Sequence, residues 1–287
     1  MDKDLRDEHF LYIDNLPSER RAKIDAQVRQ GELHMEQLHT LEDGQQIRVP
    51  SGLIHHWIGI AFVPGELFSQ TLDVLQDYQR YAHVYKPDVE RSKLLELDGN
   101  NSKSYLRLYK KSLVTVAFNA NFDAEYSPLS STRAEFRSYS TRIAEVRDPN
   151  GPNESEFPVG KDHGYLWRLN SYWRIEKRDG GVYLQVELVT LSRTIPALIA
   201  WLVNPTVRKL SKATIASLLT ATVKATTQKG ALSTHFRWEE CKLPIEDEAE
   251  RNLIKPMLNE IGCIPWHTED FEQALRGVDD THLQVVI

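Results

Sequence analysis

The sequence predicts an α+β protein in which a curved antiparallel sheet carries a helical layer on one face, ending in a long helix. Three observations predict it. Between residues 89 and 146 apolar side chains recur at a period of two between turn signals, as in successive antiparallel strands. Residues 165–191, YLWRLNSYWRIEKRDGGVYLQVELVTL, continue the pattern as a hairpin. Residues 205–228 then change to the three-to-four spacing of one helix face.

The elements follow in chain order. After a charged lead, MDKDLRDEHFLYIDNL, Ser18 is a helix cap and the helix runs to about Gln30, stopped by Gly31. Residues 34–50 read as strand pieces around the Glu42-Asp43-Gly44 turn, and Leu53–Val63 as a strand ended by Pro64-Gly65. From Glu66 to Tyr85 the period becomes helical through Leu67, Leu72, Leu75, Tyr78 and Tyr81, and Pro87 closes the segment. Four strands are then expected at 92–97, 104–110, 113–126 and 133–146, with a turn at Asp98–Asn101. The stretch 148–160, with Pro149, Gly151, Pro152, Pro158 and Gly160, reads as a surface loop.

In the hairpin, Trp167, Leu169, Trp173 and Ile175 occupy odd positions before the Asp179-Gly180-Gly181 reversal, and Leu184, Val186 and Leu188 even positions after it. Partner numbers in an antiparallel pair sum to a constant, and a loop of Asp179-Gly180 or of Gly180-Gly181 makes that sum odd. Either register assembles one apolar face from all seven residues. The other face is polar, with Tyr172 and Tyr183 on it and Arg174 opposite or diagonal to Glu187. Thr194-Ile195-Pro196 opens a short apolar helix. Asn204-Pro205 caps a second, long one, whose packed face is Val207, Leu210, Thr214, Leu218, Ala221 and Ala225, and Gly230 stops it. Beyond it, Glu246–Asn259 and Glu269–Leu275 read as helices and Leu283–Ile287 as an edge strand.

Charge narrows the function. Lys and Arg number 31 against 30 Asp and Glu over residues 1–239, but 4 against 11 over 240–287. That acidic end repels phosphate backbones and no basic run offsets it, so nucleic acid is not an expected partner. The longest apolar run, Ile195–Val203, is about half a membrane span, so no transmembrane segment is expected. With Arg208, Lys209 and Lys212 close behind, the run is instead a candidate for transient contact with a membrane surface. No export signal is legible, which predicts a cytoplasmic protein. Cys241 and Cys263 are the two cysteines and leave pairing open.

Catalytic motifs are missing. His55 and His56 are neighbours on a strand, point to opposite faces and cannot grip one metal together. His163, His235, His267 and His282 have no ligand spacing, and no phosphate cradle, HExxH, GxSxG or triad pattern is present. No metal, cofactor or catalytic residue is therefore assigned. Arg107, Glu135, Arg168 and Tyr172 could do acid–base work only on inward-facing strands, and the alternation points Arg168 and Tyr172 outward.

Gly52-Leu-Ile-His-His-Trp-Ile-Gly59 with Pro64-Gly65, Tyr109-Lys-Lys111, Ser140-Thr-Arg-Ile-Ala-Glu145 and Leu166–Gly181 resemble segments of a group of uncharacterised, mainly acidobacterial proteins. The order and proportions of the elements resemble the START-like helix-grip superfamily, also described as the polyketide cyclase/dehydrase and lipid-transport (SRPBCC) superfamily. The resemblance covers roughly residues 20–228 and implies a helix-grip domain at 34–230 behind a helical lead at 1–33; the acidic extension at 231–287 lies outside it and, being marginal as a free domain, is expected to dock on the body.

The resemblance also implies a cavity between the sheet and the long helix, with a hydrophobic small molecule or lipid as partner. Wall candidates are Trp57, Tyr81, Trp167, Leu169, Trp173, Leu188, Trp201, Leu210 and Leu218. The same large residues could instead fill the core. A non-enzymatic carrier or sensor is the first reading; a cyclase, lyase or hydrolase using the same cavity, or a structural, partner-binding protein, are the alternatives.

Overall fold

The computed structural model describes residues 9–111, 115–158, 160–194 and 197–234, with the backbone alone for 197–208 and 229–234. The chain divides into two compact units, Met1–Thr227 and Gln228–Ile287. Trp201, both cysteines and the elements expected after residue 234 have side chains or backbone outside the described residues.

A 3₁₀ turn at Tyr12–Asn15 precedes α1 (Ser18–Arg29), which begins behind Pro17 rather than with Ser18 as cap. The helix ends where Gly31 takes φ 88° and donates its N–H to the Val28 carbonyl. Next come β1 (His34–Leu38) and a small hairpin, β2 (Leu41–Glu42) and β3 (Gln45–Gln46). The long strand β4 (Gly52–Pro64) is followed by α2 (Phe68–Gln76), a 3₁₀ turn at Tyr78–Arg80 and α3 (Tyr81–Val84). The meander is β5 (Val89–Asp98), β6 (Asn101–Lys111), β7 (Thr115–Pro128) and β8 (Arg133–Arg147). Inside the expected loop, β9 (Ser155–Glu156) pairs with the end of β8. The hairpin is β10 (Arg168–Arg178) and β11 (Gly181–Arg193), and α4 (Ala197–Thr234) follows.

The main sheet runs β1-β4-β11-β10-β8-β7-β6-β5, antiparallel throughout, with β9 beside β8. It curves against helices that include α4, so the architecture is a helix-grip arrangement. Pairing of β4 with β11, 13 residues long and joining segments far apart in sequence, holds the sheet together. In the hairpin Trp173 faces Val186 and Ile175 faces Leu184, and Arg178–Gly181 closes the loop at Asp179-Gly180. Both loop residues have positive φ, 57° and 78°, as the tightest hairpin turn requires. This register puts Gln185 opposite Arg174. The Arg174 Nε donates to Glu135 on β8 (3.3 Å), and Glu187 takes His56 as its partner (2.6 Å).

The inner, concave face carries the main core. Trp57, Ala61, Val63, Phe136, Trp173, Ile175, Leu184, Val186 and Leu188 pack with Leu75 and Tyr78 of the α2–α3 segment and Ile215 and Leu219 of α4. The odd–even assignment of the hairpin is therefore the one observed for Leu169, Trp173, Ile175, Leu184, Val186 and Leu188.

Three expectations are corrected. The convex face is not simply solvated. Phe10, Leu11, Ile13, Ile24 and Val28 cover Ile60 and Tyr183 in a second core, so the N-terminal lead is a structural layer. Tyr183 does lie on the outer face, yet it is fully buried, its hydroxyl bonded to Asp25 and accepting from Arg29 Nε (3.1 Å). Second, α4 is one helix of 38 residues passing through Pro205 and Gly230, where two were expected. An internal proline forfeits one backbone hydrogen bond, at about 3 kcal/mol, which a long helix rich in Ala, Leu and Lys can absorb. Third, the buried stripe of α4 is Ile215, Leu219, Thr222 and Thr226, one position round from the expected Thr214, Leu218, Ala221 and Ala225. Threonine counts as polar by composition, but Thr222 returns its hydroxyl to the Leu218 carbonyl (2.9 Å) and so buries as a small branched residue.

Candidate functional site

The concave face is built in transverse rows set by the register. Trp57, Leu188, Ser171, Ser138, Ala124 and Ser102 stand in one row across β4, β11, β10, β8, β7 and β6. The next row is Gly59, Val186, Trp173, Phe136 and Tyr126. Four small residues on neighbouring strands lower the floor of the sheet between the tryptophans and the α2–α3 segment. Ser171 and Ser138 keep part of their surface accessible, although their strands are paired on both edges.

Above this floor stand three tyrosines. Helical spacing on 66–85 places Tyr78, Tyr81 and Tyr85 together, with ring centroids 5.4 Å apart for the first pair and 5.0 Å for the second. Each hydroxyl has a partner: Tyr78 accepts from Ser102 Oγ (2.6 Å), Tyr81 donates to the Leu75 carbonyl, and Tyr85 meets Thr222 Oγ1 of α4 (3.2 Å). Burial pushes the Tyr85 phenol up to about 12 and the Tyr81 phenol well above its ordinary value, with Tyr85 and Tyr78 adding to the latter. Both are thus neutral hydrogen-bonding groups at ordinary pH. Although it is enclosed enough for that shift, Tyr81 is not fully covered and retains accessible surface.

The ionisable groups of this face are few. His55 is inward and His56 outward, as alternation requires; His55 meets Ser192 Oγ (3.1 Å), and burial lowers its pKa. A shift in the β7–β8 register between Asn121 and Phe122 reverses the parity of β8, so Ile143 and Glu145 face inward beside Ala120 and Phe118. Glu145 is buried and accepts from the His163 backbone N–H (3.1 Å) and from its Nδ1. Sequence alternation alone misses Glu145, because a one-residue bulge leaves no compositional mark. Trp57 Nε1 and Thr226 Oγ1 are buried without a hydrogen-bond partner.

Of the expected wall residues, Trp57, Trp173 and Leu188 are buried in the core, and Tyr81, Leu169 and Leu218 are partly buried against it. Leu210 is partly exposed on α4. Trp167 falls just ahead of β10, partly buried and 6.0 Å from the Arg193 guanidinium. Arg107, Glu135, Arg168 and Tyr172 take the convex parity, and Arg107 is buried there among Asn119, Glu154 and Glu90. On the same convex side a separate cleft of about 180 Å³ is lined by Ser18, Arg21, Ala22, Asp25, Arg178 and Asp179. Among the described residues no helix is long and apolar enough to cross a membrane.

No family model matches the chain, and no curated protein matches it. Solved structures similar to it include a STAR-related lipid transfer protein from Xanthomonas axonopodis, at 16% identity over 63% of this chain and 96% of that one, with a TM-score of 0.42. Human STARD10 is 15% identical over 77% of this chain and 86% of its own, also at 0.42. The Zhui aromatase/cyclase from a Streptomyces species is 12% identical over 62% and 96%, again at 0.42. Similarity at this level carries no argument about ligand or chemistry.

Proposed function

We propose that the chain is a carrier or sensor that holds a hydrophobic small molecule or lipid, without transforming it, between the concave face and α4, as START-like proteins do. The observation that supports it most is the row of small residues, Ser171, Ser138, Ala124 and Ser102, set low in the concave face between the tryptophans and the partly covered Tyr81. The partly accessible Ser171 and Ser138, at the centre of the sheet, support the same reading. The aromatic and aliphatic rows supply apolar walls, and the neutral tyrosine hydroxyls offer a few oriented polar contacts.

Native mass spectrometry of the purified chain, followed by organic extraction, tests this. The expected result is one apolar molecule per chain, either co-purified or taken up from a lipid extract. A chain that carries nothing and takes up nothing counts against it. His55 favours the second reading, an enzyme acting between sheet and helix, since it stands on the concave face and burial lowers its pKa, the direction that favours the neutral imidazole a general base needs. Chemical change in a captured molecule, lost in His55→Gln, would select that reading.

A further inference from the structure

The strand β5 is the last of the sheet and is paired on one side only, with β6. Among the described residues the alternate N–H and C=O groups on its other side have no ladder partner, the Val89 N–H being taken by the Tyr85 carbonyl (3.0 Å). Two of its leucines are strongly exposed, Leu95 at 50% and Leu97 at 65%. An edge strand with exposed leucines is an association site unless its charges oppose pairing. Of its five charged residues Glu90 engages Arg107 within the chain (3.5 Å), and the other four are ordered, with Arg91 and Lys93 in the first half and Glu96 and Asp98 in the second.

These four fall on the convex face. They stand opposite Arg107, Tyr105, Lys103 and Asn101 of β6, because the irregularity between Leu94 and Glu96 absorbs Leu95 as an extra residue and restores the parity. We propose that this edge docks the β5 edge of a second copy, antiparallel, about a two-fold axis passing between Leu94 and Leu95. In that register Arg91 meets the partner's Asp98 and Lys93 meets the partner's Glu96, and symmetry repeats both pairs. Because the bulge sits on the axis, each pair joins convex face to convex face. Without it, residues whose numbers sum to an odd total would lie on opposite faces.

The charges extend the pattern inward. Asp123 stands opposite Lys103 on β7 and β6, and Lys103 Nζ reaches Glu96 (2.7 Å). The partner's Lys93 continues this as a row of alternating sign. Arg91 lies opposite the like-charged Arg107 and near Glu154 in its own chain, and the partner's Asp98 adds a further opposite charge. Leu94 and Leu97 take the opposite, concave parity, facing Ser104 and Ser102 of β6, so the joined edges carry the charge pairs on one face and an apolar strip on the other, with Leu95 at the axis. A single edge ladder is a small contact, so the dimer is expected to be weak and dependent on concentration.

Sedimentation velocity of the full chain over a hundredfold concentration range is the test. A monomer–dimer equilibrium is expected, weakened about tenfold or more by Leu95→Lys or Lys93→Glu. Chains with Lys93→Glu and chains with Glu96→Lys are each expected to self-associate poorly, and a mixture of the two to form a heterodimer, because opposite charges then meet across the axis. These positions are on an exposed edge, so far-UV circular dichroism and the unfolding midpoint should match the parent. A monomer at every concentration overturns the proposal and leaves the edge to another occupant, such as the chain's own residues 235–287. A dimer indifferent to Leu95→Lys, or variants that fail to complement on mixing, overturns it equally.

Discussion

Gly59 of β4 lies directly beneath Ile215 of α4, so close that a methyl group on it would stand 2.4 Å from Ile215 Cγ2 and 2.8 Å from Leu219 Cδ1. This contact sets how near the helix comes to the sheet. Neither atom can yield without moving a fully buried side chain. Gly59→Ala is therefore expected to destabilise the fold by about 1–3 kcal/mol, read from the urea midpoint. Ile215→Leu removes the clashing Cγ2, so the double variant should be less destabilised than the sum of the two single ones. Strict additivity would mean that helix and sheet are not in contact there.

Tyr183 joins the sheet to the N-terminal layer through Asp25 and Arg29, while its ring packs on Phe62 at 4.8 Å between centroids. Tyr183→Phe keeps the ring and removes the hydroxyl. The expected loss is about 1–2 kcal/mol, since Arg29 and Asp25 still hold each other at 3.1 Å. Faster amide hydrogen exchange in α1 should accompany it, while α4 is unchanged. Exchange unaltered in α1 would contradict the layer's dependence on this tyrosine.

His55 makes stability depend on pH in a defined direction. Burial lowers its folded pKa, so between that value and the ordinary imidazole value of about 6.5 the unfolded chain binds the extra proton. Its contribution is complete above about 6.5 and falls away as pH drops toward the folded value. His55→Gln should lessen the fall in urea midpoint between neutral and mildly acidic pH. Since the rest of the chain is the same in both proteins, the difference isolates His55, and identical pH profiles would contradict its burial.

The strand pattern was legible because the period-two alternation is a direct image of the sheet's two faces. Trp173, Ile175, Leu184 and Val186 could be placed inward from their numbers alone. What escaped was tertiary. Phe10, Leu11 and Ile13 sit among charged residues and read only as part of a charged lead, yet Asp14 and Asp25 of that region find Arg178 and Tyr183 on the sheet. Glu145 escaped because a bulge changes parity without changing composition. The inner rows were legible as apolar, but how near α4 comes to them at Gly59 is encoded by no local pattern.

The central claim, a hydrophobic ligand held between the concave face and α4, is tested most directly by equilibrium titration with a fluorescent acyl-chain probe. Ser171 is a small, partly accessible residue in the middle of that face. Wild-type protein should bind the probe saturably, one molecule per chain. Ser171→Phe should abolish binding at an unchanged unfolding midpoint, by filling the space. Failure of the wild type to bind saturably, or equal binding by folded Ser171→Phe, would contradict the account.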